Sequence, residues 1–170
     1  MTSPLRIWTD GLCTDSRGFG GWAFVRVWNG EARGAAGGER QATTPRMELT
    51  AVARALADLG EIPPATPLMV HSDSLWVTAG AGQLAGWEAK GWIDAQGEPV
   101  ACRDLWEEIA AIAATRPLSL VRVSPTPADR EPAGFVAAWS EFAREKCKAS
   151  GTFTSPIPKS NLSKFPGLVA

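Results

Sequence analysis

Asn29-Gly30 sits between two runs that read as strands, residues 22–28 and 31–39. Among short signals, Asn-Gly between extended runs dictates an antiparallel hairpin most firmly, because both turn positions need a positive φ. The first run is rich in aromatic and β-branched residues: Trp22, Phe24, Val25, Val27 and Trp28. The second carries Gly34, Gly37 and Gly38, which weaken it and predict a bulge or an edge position. An earlier run, residues 5–9, alternates Leu5, Ile7 and Thr9 against Arg6, Trp8 and Asp10. A loop through Ser16-Arg17-Gly18 joins it to the hairpin.

Past the hairpin the period changes from two to that of a helix. Thr44 is placed to cap and Pro45 suits a first turn, where no N–H is missed. Leu49, Val52, Ala53, Leu56 and Leu59 then form one apolar stripe, stopped by Gly60 and Pro63-Pro64. Residues 67–73 and 118–124 read as further strands, and residues 74–79, 81–90 and 103–114 as helices between them. Pro125-Thr126-Pro127 breaks the chain before a last helix over 132–147, with Phe135, Ala138, Trp139, Phe142 and Ala143 inward. A hairpin followed by crossover units predicts an α/β domain, a mixed sheet with helices on both faces. That domain is expected over residues 1–149, followed by a mobile Ser/Pro-rich tail over 150–170.

Composition narrows the function. A 170-residue chain that is 45% hydrophobic can bury one full core. A net charge of −1 excludes a strongly basic nucleic-acid binder and leaves only local patches for such a role. Cys13, Cys102 and Cys147 form no CxxC pair, which excludes a thiolate zinc site of ordinary spacing and fits a reduced compartment. No run reaches membrane-spanning length, and the first residues lead into a strand rather than a signal peptide, so a cytoplasmic protein without membrane partners is expected.

Two strands end on carboxylates, Asp10 and Asp73, each followed by a small residue, Gly11 or Ser74. If these strands are neighbours, both carboxylates emerge at one edge, and the helix between them brings Glu48 toward them. Three carboxylates without a compensating Lys or Arg repel one another, and a divalent cation resolves this. Hard oxygen ligands select Mg²⁺ or Mn²⁺, and two such ions about 4 Å apart suit a phosphodiester displacement. Spacing alone leaves a second reading open, since a strand-terminal Asp also caps turns and a Glu near a helix start also complements its dipole.

The chain resembles the type 1 ribonuclease H family. The resemblance rests on Trp8-Thr9-Asp10-Gly11 with Cys13 and Gly20-Gly21-Trp22, and on Thr43-Thr44 with Arg46-Met47-Glu48-Leu49. It continues through His71-Ser72-Asp73-Ser74, Gly86-Trp87 to Gly91-Trp92, Asp104-Leu105-Trp106 and Glu141-Phe142-Ala143-Arg144-Glu145. It implies a five-stranded sheet in the order 3-2-1-4-5 and Asp10, Glu48 and Asp73 as catalytic metal ligands. It implies hydrolysis of the RNA strand of RNA–DNA hybrids with two Mg²⁺ ions, leaving 5′-phosphate and 3′-hydroxyl ends, by a monomer. Substrate contacts fall to Gly11, Cys13, the Thr43 hydroxyl, Trp87 and Trp92, with Trp92 stacking on a sugar.

The chain departs from the family pattern at several positions. The fourth carboxylate position is Ser140, and Asp129, Glu131 or Glu141 are the candidates to compensate. Glu141 is turned about 100° from Ser140 on the helix. The segment Pro125-Thr126-Pro127-Ala128-Asp129 lacks the family's loop histidine, and His71 reads as a packed histidine. The family's asparagines before Arg46 are Thr44 and Pro45, and Leu75 replaces a substrate-contacting glutamine. The tryptophan segment matches the family's basic handle, yet only Lys90 and Arg103 are basic there. Three readings follow: an active hybrid nuclease, an impaired nucleic-acid-binding module, and another nuclease or transfer enzyme of the superfamily.

Overall fold

The computed structural model describes residues 3–14 and 18–168, so Ser16 and Arg17 of the expected loop lie outside the described residues. Strands β1 (Leu5–Thr14), β2 (Phe19–Trp28) and β3 (Glu31–Glu39) form an antiparallel meander. Asn29 and Gly30 have φ of 52° and 76°, the positive values that a tight hairpin turn with right-handed twist requires. Helix α1 (Thr44–Ala57) crosses to β4 (Leu68–Ser72), which pairs parallel with β1 in the register Trp8 to His71. Short helices α2 (Leu75–Ala81) and α3 (Leu84–Ala89) and the longer α4 (Arg103–Ala113) lead to β5 (Leu118–Arg122), parallel to β4. Helix α5 (Pro127–Ser150) returns across the other face, followed by β6 (Phe153–Pro156) and α6 (Lys159–Leu162).

The two faces carry separate cores. Leu5, Ile7, Trp22 and Phe24 pack with α1 and α4, whereas Trp8, Ala23, Val25 and Ala36 pack with α5. This is the alternation expected of a sheet covered on both sides. The expected strand order 3-2-1-4-5 is present, and a sixth strand extends it to β5-β4-β1-β2-β3-β6.

That sixth strand corrects two expectations. Residues 153–168 are not a mobile tail: β6 pairs antiparallel with β3, and Ile157, Leu162 and Phe165 are buried. Phe165 meets Trp8 and Phe135 edge-on at 5.5 and 5.2 Å. Burying Phe165 contributes about 1.5–3 kcal/mol, to which the burial of Ile157 and Leu162 and the pairing of β6 with β3 add. β3 is therefore paired on both sides over Ala35–Gly38 and runs in unbroken register with β2, without a bulge, while its first residues, Glu31–Arg33, pair on the β2 side alone. Its glycines make room instead, since a Cβ on Gly37 would stand 2.5 Å from the Trp22 ring.

Helix α5 also faces differently from the expected stripe. Val136, Ser140, Ala143 and Cys147 are buried, while Phe142 is 55% exposed and Ala138 is exposed. The helix lies on the small-residue surface of β2 and β3, so small side chains fit beneath it. Its aromatic residues pack along the flanks, Phe135 on Phe165 and Trp139 on Phe142. The helix starts at Pro127 rather than Pro132, because a proline in the first turn forfeits no hydrogen bond.

Candidate active site

Parallel pairing of β1 with β4 sends both strands out at one rim of the sheet. Asp10 lies on the α5 side of β1, Asp73 directly follows β4, and Glu48 sits in the first turns of α1. Thr43, not Thr44, caps that helix, accepting from the Arg46 N–H at 3.3 Å. Thr44 is tied to β1 instead: its Oγ1 accepts from the Cys13 N–H and donates to the Cys13 carbonyl, both at 3.0 Å. Gly11 allows this close seating, since any Cβ there would fall 2.2–2.5 Å from the Met47–Glu48 backbone.

Each of the three carboxylates has its own partner. Asp10 Oδ2 accepts from the Ser140 hydroxyl at 2.5 Å, Glu48 Oε2 accepts from the Ser74 hydroxyl at 2.6 Å, and Asp73 Oδ2 lies 3.1 Å from Arg130 Nη1. Ser74 Oγ in turn accepts from the Val77 N–H, so one hydroxyl both starts α2 and holds Glu48. Burial raises the Asp10 carboxyl to about 6 against the opposing Ser140 bond, and the charges of Glu48, Asp73 and Glu141 add to the rise. Burial also raises Glu48, helped by Asp73 and opposed by Ser74. The three acids stand on elements that end at one rim, near enough for the charges of Glu48 and Asp73 to bear on Asp10.

Among the described residues no three His, Cys, Asp or Glu side chains stand together as a ready metal group. The carboxylates are turned onto their hydroxyl and guanidinium partners. Their donor chemistry nevertheless fits a hard dication: all are oxygens, and the like-charge pressure on Asp10 is what such an ion relieves.

Of the three compensating acids, Asp129 is excluded. Its Oδ1 accepts from Trp8 Nε1 at 2.9 Å, its Oδ2 accepts from the Ser124 N–H at 2.6 Å, and it lies 3.2 Å from His71 Nδ1. It anchors the start of α5 and does not reach the rim. Glu141 acts on Asp10 only through its charge, and Glu131 is exposed. His71 is buried and stacked on Trp8 at 4.9 Å, the packed histidine its position predicts.

The tryptophan segment is a core wedge rather than a stacking surface. Trp92 is 8% exposed with φ of 66°, and Trp87 stands 6.4 Å from Trp92 and 5.5 Å from the fully buried Trp106. The sugar-stacking expectation for Trp92 is corrected accordingly. Trp87 keeps a partly exposed ring. Arg46, within the Arg-Met-Glu-Leu motif, is tied to α4 by two bonds to Asp104, at 2.8 and 3.1 Å.

The sequence reading missed Arg130 and the role of Ser74 toward Glu48. Ser74 carried a signal, a hydroxyl at a helix N-cap. Arg130 carried none until Pro127 is taken as the start of α5, which puts it in the first turns.

A mixed sheet with β1 beside β4 and three acids at their shared rim defines an α/β domain of the ribonuclease H-like type. The RNase H family model matches residues 2–124, and the chain belongs to the RNase H family. It is 41% identical over 107 residues to the ribonuclease H of Thiobacillus denitrificans, covering 62% of this chain and 70% of that one. Among solved structures it is similar to LC9-RNase H1, described as a type 1 RNase H with the type 2 active-site motif. That likeness has a TM-score of 0.71 at 18% identity and covers 95% of this chain and 80% of the other. LC11-RNase H1, solved in complex with an RNA/DNA hybrid, matches with a TM-score of 0.63 at 20% identity, over 85% of this chain and 99% of that one. The family match ends before α5, so Arg130 and Ser140 stand on the part of the fold it leaves uncovered.

Proposed function

We propose that this chain is an endoribonuclease that hydrolyses the RNA strand of RNA–DNA hybrids, using divalent ions held by Asp10, Glu48 and Asp73. The observation that carries the reading is the meeting of those carboxylates at one rim, close enough for each charge to raise Asp10. Membership of the RNase H family supports the substrate class, as does the hybrid bound by LC11-RNase H1. Mg²⁺ is the expected ion and Mn²⁺ an alternative, because both take hard oxygen ligands. Bound there, divalent ions supply activation of water and charge stabilisation at the phosphodiester.

The chain's own residues bind and orient. The Thr43 oxygen accepts from Arg46 N–H, which leaves its proton free for a DNA phosphate at the start of α1. The backbone of Cys13 is already bonded to Thr44 and Gly11 is buried against the start of α1, which leaves the exposed Thr43 as the hydrogen-bonding contact on this side of the site. The exposed part of Trp87 offers an apolar contact beside the strand path. The working unit is a monomer.

Cleavage assays on a labelled hybrid in Mg²⁺ and in Mn²⁺ test this, and silence in both while a control nuclease cuts removes it. A second reading, an impaired binding module, draws on the Ser140 hydroxyl and Arg130 guanidinium occupying two of the acids. Ser140→Asp separates the two: on the second reading it sharply raises Mn²⁺ affinity and cleavage together, and on the first both are already present.

A further inference from the structure

Among the described residues, Arg130 is the only basic side chain ion-paired with any of the three rim carboxylates. The pair lies at the open mouth of the site, with the two side chains 48% and 52% exposed. Its base is fixed. The Arg130 N–H donates to the Thr126 carbonyl at 2.9 Å, and the preceding residue, Asp129, is held by Trp8 and Ser124. A long side chain on an anchored backbone, in contact with solvent, can change partner without moving the helix.

Electrostatics then sets up a competition. A guanidinium and a dication cannot both sit on Asp73 Oδ2 without repelling each other. The planar fork of Arg finds a stronger partner in a phosphodiester, which takes two parallel hydrogen bonds. We infer that Arg130 is a positioning residue that covers Asp73 while the carboxylate holds no dication, and passes to a backbone phosphate of the bound nucleic acid when Asp73 takes one. This inference rests on the hybrid-nuclease reading above. Ser140 gives it weight, because a neutral group at that position leaves the rim short of negative charge, and Arg130 shifts it further.

Two measurements on the full chain test it. In calorimetric titration with Mn²⁺ alone, Arg130→Gln binds the ion about three- to fivefold more tightly than the parent, the scale of an exposed ion pair, and Arg130→Lys stays near the parent. In EDTA, Asp73→Asn frees the guanidinium, so that variant binds a short RNA–DNA hybrid with a salt slope steeper by about 0.9. In Asp73→Asn/Arg130→Gln that gain is lost. If the parent binds Mn²⁺ and Arg130→Gln matches it, the competition is overturned and the nuclease reading stands. If neither binds Mn²⁺, both fall. If Asp73→Asn alters hybrid binding equally with and without Arg130, the handover is overturned.

Discussion

The indole Nε1 of Trp8 donates to Oδ1 of Asp129 across 2.9 Å, joining β1 to the first turn of α5 over 121 positions of chain. Removing that carboxylate strands two donors, the indole and the Ser124 N–H. A buried donor without a partner costs about 1–3 kcal/mol. Asp129→Ala is therefore expected to lose about 2–4 kcal/mol in urea unfolding, with Asp129→Asn losing less.

The same cluster gives an acid limb to the stability curve. Burial pushes the Asp129 carboxyl up, but the Ser124 and Trp8 N–H groups and His71 outweigh it and hold it below 3.8. Burial and Arg6 hold His71 below 6.5 against the pull of Asp129. At both groups the unfolded chain takes up protons first, so stability falls as pH drops. The His71 contribution fades below 6.5 and the Asp129 contribution only as pH falls past 3.8, through the depressed folded value. Urea midpoints from pH 8 to pH 3 read this, and Asp129→Ala removes the lower step.

Asp10 works in the opposite direction. Its carboxyl is raised from 3.8 to about 6, so the metal-free fold holds that proton more tightly than the unfolded chain does. Stability at this group rises as pH falls from about 6 toward 3.8. Asp10→Asn is expected to abolish cleavage yet stabilise the metal-free protein at pH 8, by about 2–3 kcal/mol at most. The advantage shrinks to nothing below pH 4, where the parent is protonated too. Paired denaturation curves at the two pH values check it.

Trp92 and Phe165 are expected to act through stability. Replacing a buried aromatic residue by alanine costs about 3–5 kcal/mol. Trp92→Ala and Phe165→Ala should each fall in thermal midpoint, while the folded fraction of Trp92→Ala keeps a KM for hybrid close to that of the parent. A KM rise of tenfold or more in folded Trp92→Ala would return that ring to the substrate.

What was legible followed from local chemistry. Asn29-Gly30 set the hairpin, and strand ends at Asp10 and Asp73 set the rim, because turn conformation and sheet adjacency depend on few residues. The β6 strand was not legible: Phe153-Thr154-Ser155-Pro156 has weak strand chemistry, and only the β3 edge and the cavity that Phe165 fills make it one. The inward face of α5 was misread for a related reason. Large apolar residues usually point inward, but the surface beneath this helix takes valine, serine, alanine and cysteine and leaves the rings to its flanks. The substrate role expected of Trp92 comes from the resemblance of its segment to the family's handle, and such a match does not tell a ring that faces a ligand from one that faces another ring.

The contact of Phe165 with Trp8 orders the events of biosynthesis. Trp8 leaves the ribosome well before its cover does, because the ring that closes over it lies more than one hundred and fifty positions further along the chain. Until then the indole that steadies Asp129, and through it the arginine at the mouth, has one flank open to water. A nascent chain halted after α5 would carry every acid of the rim and still lack the clasp that holds the opposite wall.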